Sequence, residues 1–259
     1  TAGETPRYGE PDAAPGAMWS TTSLTALFAA DADIEAGMRD AAHTLGLAPP
    51  AYTLQAIADL DWVRHTQSQF GPMQVADRLW VVPSWSEIVD TQAINIKIDP
   101  GLAFGTGSHA TTRLCLRWLA AHLAPGSSLL DYGCGSGILA IAAARLGADA
   151  VTGCDVDPAA IVASRANAER NGVVAQLAAP DAIGDGSFDV VVANILANPL
   201  RLLAPLLAAR VRPGGSIVLS GILQAQAAPV IEAYARWFKL ATWGEDDGWI
   251  ALVGRRQHD

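Results

Sequence analysis

The chain of 259 residues is 51% hydrophobic, enough for a sizeable core, and at ~150 residues per domain its length suits two domains. No apolar run approaches the ~18–20 residues of a membrane span, and residues 1–6 lack the basic and apolar regions of a signal peptide, so a soluble cytoplasmic protein without a membrane partner is expected. The formal charge of −9 lies mostly in front: residues 1–96 carry 12 acids against 4 bases, and residues 97–259 carry 14 against 13. An acidic front half repels phosphates and attracts basic proteins, which argues against direct nucleic-acid binding, although ordinary solubility charge leaves the same count.

Position 1 is Thr, so an upstream piece is expected. Residues 1–16 read as a loop, residues 19–28 as a strand, and residues 33–45 as a helix with Ile34, Met38, Ala41 and Leu45 on one face and Gly46 as its stop. Residues 51–57 return to a strand pattern, which completes a small α+β module. The tryptophan-rich stretch from Asp61 to Trp85 reads as a packing and connecting region. From Ile94 onward strands and helices alternate: strands over 128–130, 150–154, 188–194 and 216–220, with helices over 138–145, 158–171, 200–211 and 225–238. Apolar strands alternating with amphipathic helices predict a doubly wound, mostly parallel α/β sheet. Two late strands, 240–243 and 249–253, flank Gly244–Gly248 as a hairpin, which predicts one antiparallel edge. The expected domains are residues 1–80 (α+β), 81–96 (linker) and 97–259 (α/β). Cys115, Cys134 and Cys154 form no C-x-x-C pair, so buried small residues are expected and no metal site.

The glycine loop carries the chemistry. Glycines let backbone approach a ligand that a Cβ would repel, and the helix that follows offers free N–H groups. Asp155 closes the next strand, 18 positions beyond Gly137, where a carboxylate can take both ribose hydroxyls. Two cofactors satisfy this pattern. Gly135-Ser-Gly137-Ile-Leu-Ala140 fits the dinucleotide motif of a dehydrogenase. Asp131-x-Gly133-x-Gly135-x-Gly137 instead resembles class I S-adenosylmethionine (AdoMet) methyltransferases, a Rossmann-like fold with a seven-stranded sheet.

A second element favours AdoMet. The stretch Asp99-Pro-Gly-Leu-Ala-Phe-Gly-Thr-Gly-Ser-His-Ala-Thr-Thr112 precedes the strand over 128–130, and Asn194-Ile-Leu-Ala-Asn-Pro199 ends the strand over 188–194. Together they resemble the PrmA family, which methylates protein eleven of the large ribosomal subunit. The resemblance covers residues 59–259. It implies that Thr112, Gly133, Gly135, Asp155 and Asn194 meet AdoMet and that Phe104 and Thr106 close over it. Read without that resemblance, Asn194 also fits the less favoured role of a strand-end cap. The implied reaction is attack by an amine, a lysine ε-amine or an α-amine, on the sulfonium methyl, with a basic ribosomal protein as partner. His109 reads as a loop-stabilising hydrogen-bond partner, and no residue is assigned as catalytic base. Relatives begin with a ferredoxin-like module that grips the ribosomal protein, and this chain is expected to hold a truncated one. It departs from them at Thr66, where they carry an aromatic, and at Gly71, where they carry a larger residue. Rival readings are methylation of another basic protein or a small amine, a chain that binds AdoMet without turnover, and a nicotinamide dehydrogenase.

Overall fold

A computed structural model describes residues 28, 32–48, 51–54, 71–99 and 107–257. The loop read over 1–16, the strand read over residues 19–27, and Thr66, Phe104 and Thr106 lie outside the described residues. The chain divides into two compact units, and the described parts are residues 28–54 in one and 71–257 in the other. No helix of the described residues is long and apolar enough to cross a membrane.

The first unit contains α1 (Ile34–Leu45). Asp33 caps it, its Oδ1 accepting from the Ala36 N–H at 3.0 Å, and Gly46 ends it in the left-handed region at φ 64°, as only glycine does without strain. Ile34, Met38 and Ala42 form the shielded stripe, whereas Ala41 and Leu45 of the predicted face are exposed. Residues 51–54 join no strand, and Tyr52 and Leu54 are exposed.

The second unit holds two sheets. Part of the tryptophan-rich stretch builds the smaller one: β1 (Met73–Ala76) turns back into β2 (Leu79–Val82), which pairs in parallel with β3 (Ile94–Lys97). Leu79, Val81 and Ile96 are buried in the same core as Leu116 and Leu119 of α2 (Ala110–His122).

The larger sheet has seven strands in the order β6-β5-β4-β7-β8-β10-β9. Its members are β4 (Ser128–Tyr132), β5 (Ala150–Cys154), β6 (Gln176–Ala178), β7 (Phe188–Asn194), β8 (Val211–Leu223), β9 (Ala241–Asp246) and β10 (Trp249–Arg255). The first five run parallel, and β10 pairs antiparallel with both β8 and β9. Asp247 at φ 52° and Gly248 at φ 75° make the two-residue turn, so the predicted hairpin forms with a tighter loop than read.

Successive side chains point to opposite faces of a strand. Accordingly Leu129, Val190, Val192 and Val218 enter one core and Leu130, Val191, Ala193, Ile217 and Leu219 the other. The first core is closed by α2 and α3 (Ile138–Arg145) and borders α4 (Pro158–Arg170). The second is closed by α5 (Ala197–Leu202), α6 (Ala204–Arg210) and α7 (Ala227–Tyr234). The single helix read over 200–211 is thus two helices that break at Leu203, because Pro205 fits only a first helical turn. The sheet reverses its winding at β4, and a ligand crevice opens beyond the strand ends at such a point.

Candidate active site

The glycine loop leaves β4 and starts α3. Gly133, Gly135 and Gly137 stand at φ 77°, 53° and 79°, a region closed to most other residues. A side chain at 133 would strike Cγ2 of Ile195, and one at 137 would come within 2.9 Å of Ser164 Cβ. Gly133 and Gly137 are therefore required by packing. The loop is pinned to β5: the N–H groups of Gly133 and Cys134 donate to the Cys154 carbonyl at 2.8 and 2.9 Å. On its far side Asn167 Nδ2 donates to the Ser136 carbonyl at 2.9 Å.

Asp155 stands where β5 ends. Its Oδ2 accepts from the Gly135 N–H at 2.9 Å and its Oδ1 from the Asp157 N–H at 3.0 Å. Each carboxylate oxygen has two acceptor sites, so one on each stays available for a vicinal diol.

Asp131 has a role that local sequence did not signal. Its Oδ2 accepts from the Ala140 N–H at 3.1 Å, so a side chain on β4 supplies a cap that Gly137 cannot give to α3. The residue is 1% exposed, and Oδ1 is buried with no hydrogen-bond partner among the described residues. Burial, reinforced by the Asp155 charge and opposed by the Ala140 bond, pushes its carboxyl up to about 7. The ordinary, unfolded value is 3.8, so the folded state holds the proton more tightly and stability falls as pH rises from about 4 to about 7. The Asp131→Asn variant is expected to lose that slope, which melting temperatures of the ligand-free protein across this range will check. Burial likewise raises the thiols of Cys115, Cys134 and Cys154, the last to about 12, so the three act as inert apolar packing.

Opposite the loop, the fold brings two of the predicted residues together. Asn194 Nδ2 at the end of β7 donates to Thr112 Oγ1 in the first turn of α2 at 3.3 Å, and Thr112 is 2% exposed. Ile195 follows, its side chain over Gly133 and its backbone against Gly221, which stands at φ 84°. In the sequence only the neighbouring Asn194 points to Ile195, and no local signal points to Gly221.

His109 is the N-cap of α2. Its Nδ1 lies 2.9 Å from Thr111 Oγ1 and 3.4 Å from the Thr111 N–H, and its ring meets Trp249 edge-on at 5.1 Å. That placement fits a structural hydrogen bond. His109→Ala is expected to cost about 1 kcal/mol in unfolding free energy. At least a tenth of the catalytic rate should remain, a limit of roughly 1.4 kcal/mol, which melts and initial rates will check.

The residues present suit a cofactor that joins a ribose to a cationic tail. Asp155 can accept the diol, the glycine loop admits close backbone approach, and Asp131 Oδ1 is a buried polar atom without a hydrogen-bond partner among the described residues.

This strand order, with its antiparallel edge and a glycine loop tied to the acid of the neighbouring strand, defines a class I methyltransferase domain. The family model described as ribosomal protein L11 methyltransferase (PrmA) matches residues 1–257, and the chain belongs to that family. It is 56% identical to the ribosomal protein L11 methyltransferase of Thiobacillus denitrificans over 98% of this chain and 86% of that protein. Against the Cupriavidus taiwanensis protein of the same description the identity is 53%, over 99% of this chain and 87% of that one. The crystal structure of a ribosomal protein L11 methylase from Lactobacillus delbrueckii subsp. bulgaricus superposes with a TM-score of 0.67 and 34% identity, covering 73% of this chain and 100% of that one. The T. thermophilus 16S rRNA N2 G1207 methyltransferase RsmC, solved with AdoMet and guanosine, gives 0.51 and 25%, covering 60% of this chain and 45% of that one.

Proposed function

We infer that the chain transfers methyl groups from AdoMet to amino groups of ribosomal protein L11. Membership of the L11 methyltransferase family supports this reading, together with relatives of that description at 56% and 53% identity. The observation that carries it at the site is the glycine loop held to Asp155, with the Thr112–Asn194 pair on the facing strand end.

AdoMet supplies an electrophilic methyl on a sulfonium that leaves as a neutral thioether. Asp155 would take the ribose hydroxyls, and the backbone at Gly133 and Gly135 would lie along the methionyl part. With its N–H engaged by Thr112, Asn194 would offer its side-chain carbonyl oxygen to the incoming amine, a positional contribution. A lysine ε-amine starts near pKa ~10.4 and must shed its proton; desolvation in the site lowers that value. No side chain is assigned as a general base.

The compact unit that ends at Trp62 carries recognition of the basic ribosomal protein, and the acidic front half matches a lysine-bearing target. The acceptor is protein rather than nucleic acid, and the site of action is the cytoplasm, away from membranes. The test is intact-mass spectrometry of purified large-subunit ribosomal proteins incubated with the chain and AdoMet. Methyl multiples on L11 alone, absent with Asp155→Ala, are expected; methyl on a different protein would reassign the acceptor.

A further inference from the structure

The hairpin at the antiparallel edge of the sheet reaches the first turn of α2. Arg113 on α2 makes a two-pronged bond with Asp246 at the end of β9, Nε to Oδ2 at 2.9 Å and Nη2 to Oδ1 at 2.8 Å. Its Nη1 donates to the Ser108 carbonyl just before the helix. One guanidinium therefore fixes both the helix entry and the hairpin, using the planar fork that lysine lacks. Arg117, one turn on, adds a contact to Asp246 Oδ2 at 3.4 Å and donates to the Val75 carbonyl at 3.2 Å. The Arg113 and Asp246 side chains are only 25% and 19% exposed, so solvent screens the pair weakly. Hydrogen bonding from Arg113 also holds the Asp246 carboxyl below the usual carboxylate range.

Between the two anchored points, Ser108 and Arg113, lies Thr112, whose hydroxyl accepts from Asn194. We propose that the Arg113–Asp246 clamp is a positioning device for methyl transfer, setting Thr112 against Asn194 from the far edge of the sheet. It acts through Thr112 and touches neither cofactor nor acceptor. This rests on the reading that Thr112 and Asn194 belong to the AdoMet site. Because Thr112 and Asn194 meet the cofactor in that reading, a loosened clamp should weaken AdoMet affinity roughly tenfold.

The experiment is a double-mutant cycle on AdoMet affinity by titration calorimetry, with Asp246→Asn and Thr112→Val alone and combined. Arg113→Lys replaces Asp246→Asn if that variant melts below the assay temperature. Asp246→Asn alone should weaken binding about tenfold, and in the Thr112→Val background by less than about twofold, because coupled residues do not add. A contribution to stability alone would move the melting temperature and leave the affinity unchanged. If Thr112→Val weakens binding while Asp246→Asn is silent or fully additive, the clamp is overturned and the site stands. If Thr112→Val has no effect, Thr112 leaves the site and the clamp's proposed role goes with it.

Discussion

Asp155→Ala is expected to weaken AdoMet binding at least ~100-fold, with little turnover at any practical cofactor concentration. A carboxylate accepting from two hydroxyls makes two charge-assisted hydrogen bonds worth ~1.5–3 kcal/mol each, and each 1.4 kcal/mol is about tenfold in affinity. The geometry adds a second loss. Asp155 also accepts from the N–H groups of Gly135 and Asp157, so alanine frees the middle of the glycine loop as well as the ribose. Asp155→Asn separates the two effects, since its amide oxygen can keep one backbone bond while the charge disappears; an intermediate loss is expected. Calorimetric titration with AdoMet measures all three proteins. Wild-type affinity in Asp155→Ala would move the ribose away from this strand end.

Gly221→Ala is expected to give the largest loss of stability. Gly221 stands at φ 84°, and a Cβ there would meet the Ile195 carbonyl oxygen, with the carbonyl carbon at 2.7 Å and the nitrogen at 3.1 Å. Backbone strain contributes about 1–3 kcal/mol and the collision a similar amount, because main-chain atoms cannot swing aside as a side chain can. The sum, on the order of 3–4 kcal/mol, lowers the melting temperature by about 10 °C in a protein of this size. Gly172→Ala is the control: Gly172 stands at φ 61° with nothing within 4 Å of the added Cβ, so it should lose only about 1 kcal/mol. Affinity should fall too in Gly221→Ala, since Ile195 is the side chain over Gly133. Equal melting temperatures for the two variants would show that the Ile195 backbone does not crowd this position.

What could be read in the chain itself was local chemistry. Three glycines at alternate positions between an apolar strand and an apolar helix admit few backbone paths, and Asp155 follows at the distance that a strand–helix–strand unit sets. The hairpin was similarly legible, because the Asp247-Gly248 pair suits a tight turn between apolar runs. Short elements were not. A strand of three or four residues, as in β6 or β1 to β3, has too few positions to display alternation, and its pairing depends on neighbours far along the chain. The break at Leu203 was visible in Pro205 but lay inside an apolar run that reads equally well as one helix.

Tertiary structure alone decided which side chains meet. Asp131 reaches across the loop to Ala140, Asn194 meets Thr112 from 82 positions away, and Arg113 meets Asp246 from 133 away. Local sequence determines backbone conformation because the forces on φ and ψ act within a few residues. Partner choice depends on strand order and register, which are settled only when both faces of the sheet are buried together.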